Sequence, residues 1–363
     1  AIDLYKKLAL EKGNIFCSPY SISSALAMTY AGAKGETAKQ MAKTLHFSLP
    51  QERLHKAFNE LSKLLQSNTK EYQLSIANAL WGQKNYKFLK EFIDVTNKYY
   101  EAGFREVDYV DAKAREETRQ TINKWVEDKT NGKIKDIIKP DDIDALTRLI
   151  LTNAIYFKGR WELQFDPKNT KNMPFYVSEN IRVDTPMMYQ KAIFSYTEDE
   201  EVQVLEIPYV GKDLSMVIIL PKSNITLSKV ERTLSIKKIK AWLSVLSEKE
   251  VEVYVPKFKI EKRFVLNEIL EKLGMVDAFD MIKADFLGMT PKPDLYISSV
   301  IHQAFVEVNE EGTEASAATA VIMGTKAVIM PIVFRADRPF MFFIRDRRSE
   351  SILFIGRMIE PEK

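Results

Sequence analysis

Residues 300–308 divide by twos into two faces of an extended strand. Val300, His302, Ala304, Val306 and Val308 share one face of an extended chain, and Ile301, Gln303, Phe305 and Glu307 share the other. A period of two predicts a strand. Strands are also predicted over 151–157 and 214–220, at the alternating Val251, Val253 and Val255, and in a C-terminal pair, 340–345 and 352–359. The polar stretch 346–351 between the last two reads as a hairpin connection. Helical spacing governs other stretches. Ser18 is a good N-cap with Pro19 at the first helical position, and Ile22, Ala25, Leu26 and Thr29 follow on one face, up to a stop near Gly32 and Gly35. A second helix carries Ile122, Trp125, Val126 and Lys129 and ends at Thr130-Asn131-Gly132. Helices and strands are interspersed irregularly and not as βαβα, which predicts an α+β fold.

The strand at 300–308 leads into an unusual run, EEGTEASAATAVIMGTKA, from Glu310 to Ala327. Counting by two from Thr313 gives Ala315, Ala317, Thr319, Val321 and Met323, all uncharged and mostly small, whereas the alternate set holds Glu314 and Ser316. Such a segment can enter a sheet as a strand. An exposed helix is the competing reading, because Ala is a strong helix former. Gly312, Thr319, Val321, Ile322 and Gly324 count against it. A plain linker is a third reading, opposed by the apolar Val321-Ile322-Met323.

The chain has 363 residues, of which 45% are hydrophobic and 11% aromatic, enough for a large core. No linker composition or internal repeat divides it, so one domain over 1–363 is expected. A net charge of +3 on 28% charged residues requires neither nucleic acid nor a membrane surface as partner. No apolar run of about 18 residues is present. Cys17 is the only cysteine, which excludes an internal disulfide and a cysteine-rich metal site. Its neighbours Ile15 and Phe16 suggest a buried, unreactive thiol.

Catalytic motifs are missing. With histidines only at 46, 55 and 302, the chain shows no H-E-x-x-H, G-x-S-x-G, G-x-G-x-x-G or P-loop. A Ser-His-Asp triad stays open, because its members meet in space and not in order. His302, on a predicted strand, reads as a structural hydrogen-bonding residue before a general base. No cofactor or metal is expected.

Several ordered motifs resemble the serpin family from about Leu4 to Pro361. They are NIFCSPYSISS at 14–24, LTNAIYFKGRW at 151–161, LSMVIILPK at 214–222, VPKFKI at 255–260, EEGTEASAATA at 310–320, DRPF at 337–340 and FIGR at 354–357. The resemblance implies a single domain of three β-sheets and eight or nine helices, with a reactive-centre loop over about 310–338. It implies a suicide-substrate inhibitor of serine proteases and no enzyme. The protease attacks the loop, a covalent acyl complex forms, and the cut loop inserts as a strand in the central sheet. The loop hinge would comprise Glu310, Gly312, Thr313, Glu314, Ala315, Ser316, Ala317, Ala318 and Thr319.

Counted from Glu310 at the family's usual loop length, the residue before the cut is Lys326. The reactive bond is thus expected at Lys326-Ala327, which suits a trypsin-like protease, with Met323-Gly324 as runner-up. By motif match, Asn14, Ser18, Ser21, Asn153 and His302 resemble the family's shutter, a polar cluster beneath the parting strands. Trp161, Lys257 and Glu310 resemble the breach at the top of the sheet, with an expected Lys257–Glu310 ion pair. Ordinary fold maintenance is the competing reading of both groups. The resemblance further implies a monomer able to form loop–sheet polymers, and secretion into an extracellular setting, with an intracellular one as the other option. The alternative function is that of a non-inhibitory carrier or chaperone.

Overall fold

The computed structural model describes residues 1–66, 71–100, 103–313 and 332–361. Among these residues there are nine α-helices: α1 (Ile2–Leu8), α2 (Pro19–Tyr30), α3 (Gly35–Leu45), α4 (Gln51–Gln66), α5 (Lys90–Tyr99), α6 (Ala112–Lys129), α7 (Leu227–Thr233), α8 (Ile236–Ser244) and α9 (Asn267–Lys272). The expected cap at Ser18 is in place, and Asp111 supplies another. The Ser18 side chain accepts from the Ser21 amide at 3.1 Å to start α2, and Asp111 accepts from Ala114 at 2.8 Å to start α6. After α6, Asn131 (φ 53°) and Gly132 (φ 73°) turn left-handed in succession, which breaks the helix as the Thr-Asn-Gly sequence predicts.

The strands are β1 (Ile15–Cys17), β2 (Tyr72–Gln83), β3 (Phe104–Val107), β4 (Leu149–Arg160), β5 (Lys171–Ser178), β6 (Ile181–Glu198), β7 (Val202–Pro208), β8 (Leu214–Pro221), β9 (Ser247–Pro256), β10 (Phe258–Val265), β11 (Ser299–Val308), β12 (Gly312–Thr313), β13 (Ile332–Arg335), β14 (Phe340–Asp346) and β15 (Ile352–Met358). They form a six-stranded sheet in the order β10-β11-β4-β2-β3, with β12 on β4, and a nine-stranded sheet in the order β1-β15-β14-β8-β7-β6-β9-β13, with β5 on β6. The long strand β6 joins two parts of the larger sheet. Its end at Ser195–Glu198 pairs with β7, and its earlier residues pair with β5 and β9. The three sheets expected from the resemblance are the six-stranded one and these two parts.

The six-stranded sheet is covered on both faces, so its strands read as apolar runs with few breaks. Toward the larger sheet lie Ile155, Phe157, Ala304 and Val306. On the opposite face Ala154, Tyr156, Ile301 and Phe305 pack with Ile122 and Val126 of α6. The strand predicted for 300–308 is therefore present, and both of its faces meet core. Cys17 is buried among apolar groups, and burial pushes its thiol up to about 12. No helix among the described residues is long and apolar enough to cross a membrane.

Candidate functional site

The centre of the six-stranded sheet is a seam between two parallel strands. β11 and β4 pair from Ser299↔Ile150 to Phe305↔Tyr156, and there the pairing ends. Above that point a third backbone enters. Asn309 and Gly312 bridge across a tight turn, with the Asn309 amide donating to Gly312 O at 2.9 Å and Asn309 Oδ1 accepting from Glu311 N at 3.1 Å. The chain, now reversed, pairs antiparallel with β4 as Gly312↔Arg160 and Thr313↔Gly159. Position 312 admits only glycine. Its φ is 151°, and a Cβ would stand 2.1 Å from Gly159 O.

Residues of the breach set hold this turn. Trp161 N donates to Glu311 O at 2.9 Å, Trp161 Nε1 to Asn309 O at 3.0 Å, and Phe165 N to Glu310 O at 2.8 Å. The Glu310 carboxylate meets Lys257 Nζ at 2.9 Å and accepts from Thr170 Oγ1 at 2.8 Å. Burial works against its charge, but the Lys257 ammonium and the Thr170 hydroxyl outweigh it, so its pKa is lowered. Trp161 stacks on Tyr209 with ring centroids 4.6 Å apart.

Lower in the seam, four of the five shutter residues meet. His302 and Asn153 face each other in the β11–β4 register and are hydrogen-bonded through His302 Nδ1. His302 Nε2 accepts from the Ser18 amide at 3.1 Å, which assigns the proton to Nδ1. Ser18 Oγ donates to Leu353 O at 2.6 Å, and Asn153 Nδ2 donates to Ser21 Oγ at 2.6 Å. Burial drives the His302 pKa down to about 3, so the ring is neutral.

Asn14 is a correction. Its side chain bonds Glu360 O and the Ile359 amide, each at 2.7 Å, and so ties β1 to the C-terminal residues instead of joining the network. Asn78 of β2 joins it, accepting from Ser21 Oγ at 3.1 Å and bonding Asn153. A signal for Asn78 existed, a single amide inside the apolar run Ile76-Ala77-Asn78-Ala79-Leu80.

A strap crosses the outer face of the seam. Following α6, Asn131 Nδ2 donates to Ser75 Oγ of β2 at 3.3 Å, and Lys133 Nζ lies over Tyr156 at 6.0 Å and over Phe305 at 5.6 Å. On the far side, Arg263 of β10 donates to Ile137 O at 2.7 Å and pairs with Asp142. The hinge residues Glu314, Ala315, Ser316, Ala317, Ala318 and Thr319 and the reactive-bond candidates Met323, Gly324, Lys326 and Ala327 lie outside the described residues.

A family model described as "Serpin (serine protease inhibitor)" matches residues 1–361. The chain is 45% identical to the leukocyte elastase inhibitor of Homo sapiens over 372 residues, covering 99% of this chain and 97% of the relative. It is 44% identical to Serpin B6 of Pongo abelii over 368 residues, with the same coverage. Among solved structures, human thyroxine-binding globulin superposes with a TM-score of 0.90 at 32% identity, covering 100% of this chain and 96% of that one.

Proposed function

The chain belongs to the serpin family and is a protease inhibitor, not an enzyme; from that premise we propose that it traps a serine protease by inserting its cleaved loop into the seam between β4 and β11. The protease serine attacks the carbonyl carbon of Lys326, the ester forms, and the amine of Ala327 leaves. Residues beyond Thr313 then follow it into the sheet before water can free the enzyme. The chemistry is the protease's own, and this chain supplies the bait and the strand.

The observation that carries the reading is the antiparallel start of β12 on β4 at the upper end of the seam. Extending its register sets Ala315 opposite Phe157, Ala317 opposite Ile155, Thr319 opposite Asn153, Val321 opposite Leu151 and Met323 opposite Leu149. Small side chains meet the bulky Phe157 and Ile155, and a hydroxyl meets the polar network. None of the inward set is charged, so none would need desolvation on entry. The side chains of Trp161, Lys257 and Glu310 would guard the entry, and Ser18, Ser21, Asn153 and His302 the parting of the strands below.

Lys326 favours a protease with an acidic specificity pocket. A relative named for leukocyte elastase supports a second reading, in which Met323-Gly324 is cut by a protease preferring apolar side chains. Incubation with trypsin and, separately, with neutrophil elastase tests both. An SDS-stable complex with trypsin, together with a released fragment starting at Ala327 by mass spectrometry, is the expected result. A complex only with elastase and a fragment starting at Gly324 would move the bond. Cleavage without any complex would favour the carrier reading. An extracellular location draws no support from the relatives' names, and the mechanism does not depend on it.

A further inference from the structure

We propose that Tyr209 is a positioning residue for loop insertion: its hydroxyl holds Thr313 in the seam before a protease arrives and sets the register in which the remaining loop follows. The proposal rests on the insertion reading above. Tyr209 directly follows β7 of the larger sheet, yet it is bound to the residues at the upper end of β4. Trp161 and Tyr209 form an antiparallel bridge, Glu162 N donates to Pro208 O at 2.9 Å, and Val210 N donates to Arg160 O at 2.8 Å. The ring packs against Trp161, stacked at 4.6 Å, and against Phe157, T-shaped at 5.0 Å. Held on backbone and ring, the hydroxyl has little freedom, and it meets Thr313 Oγ1 at 2.8 Å with both residues fully buried.

This contact joins three strands at one point. Thr313 is the first residue of the inward-facing set, and its backbone already lies on β4. A strand that slips by one residue turns every side chain to the opposite face. In this seam a slip would offer Tyr209 either the hydrogen of Gly312 or the carboxylate of Glu314. The first leaves the buried phenol without its partner, and the second buries a charge. Only position 313 satisfies the slot. Burial raises the Tyr209 pKa far above its ordinary value, so the phenol keeps its proton throughout the working range.

The test compares Tyr209→Phe, Thr313→Val, Thr313→Ser and the double variant Tyr209→Phe/Thr313→Val with the wild type. Amide hydrogen exchange at Gly312 and Thr313 reads the docking directly, without a protease. Trypsin titration reads how the chain partitions between stable complex and free cleaved product. Tyr209→Phe and Thr313→Val are each expected to exchange at least about fivefold faster. Each should at least about double the cleaved fraction, with the rate of first cleavage unchanged. Thr313→Ser should match the wild type, and the double variant should be no worse than the poorer single one. Exchange within about twofold of wild type in both single variants, or strictly additive losses in the double one, would overturn the proposal. If the wild type forms no complex, the inhibitory reading fails, and hydrogen exchange alone still decides whether Tyr209 holds Thr313.

Discussion

A charged side chain at position 313 would have to stand where Thr313 has no solvent exposure, against the Tyr209 hydroxyl. Burying an unpaired charge there costs several kcal/mol, more than a surface hinge can absorb. Thr313→Arg is therefore expected to stay folded with its hinge expelled, and to be cleaved by trypsin without forming stable complex. Complex formation at the wild-type ratio on an SDS gel would refute this. A second argument at this scale concerns protons. His302 and His55 are buried, with pKa values lowered by burial to about 3 and about 4 from an ordinary 6.5. Between those values the unfolded chain binds more protons than the folded one, so stability rises with pH across the window. Tm should be flat above about pH 7 and fall as pH drops from about 6.5 toward 4. Carboxylates with lowered pKa, such as Glu310, add to the loss only below their ordinary range, near 4.5. A Tm unchanged between pH 7 and 5 would show that neither histidine is held neutral.

The elements carry different kinds of information in the sequence. β11 was legible from its period of two, β4 from its run of apolar residues, and α2 because Ser18-Pro19 is a strong local start. The Trp161, Lys257 and Glu310 grouping followed from motif resemblance, since these residues come from β4's end, the start of β10 and the end of β11 and meet only in the fold. Asn78 was missed and Asn14 misplaced for the same reason, because a side-chain amide's partner is set by tertiary packing and not by spacing. The strap after α6 was equally hidden. It spans the seam from Ser75 of β2 to Arg263 of β10, so strands cannot part without releasing one anchor. α6 packs on β2, where Trp125 meets Trp81 edge to face, so the anchor to give way is Arg263. Arg263→Ala is expected to lower stability by about 2 kcal/mol and to speed hydrogen exchange across the β4–β11 pairing. Equal exchange in the two proteins would mean that the strap does not restrain the seam.

For the whole molecule, the decisive quantity is the stability of the chain before and after its loop is cut. Uncut, Gly312 and Thr313 are the described residues of the returning strand in the six-stranded sheet, and Phe305↔Tyr156 pairs the seam beneath them. On the insertion reading, cutting would free residues 314–326 to follow. An added strand would exchange one parallel interface for two antiparallel ones, and each new backbone hydrogen bond contributes about 1 kcal/mol net. Roughly ten such bonds imply about 10 kcal/mol, and for a domain of this size a Tm higher by at least about 10 °C. Most cleaved proteins lose stability, because an open loop end adds freedom to the chain. The sign of the change is thus diagnostic. Trypsin-nicked protein, purified with both fragments associated, should melt above the intact protein, and Thr313→Arg nicked in the same way should not. A fall in Tm on nicking the wild type would mean that the loop stays outside the sheet. The inhibitor reading would then give way to the carrier one.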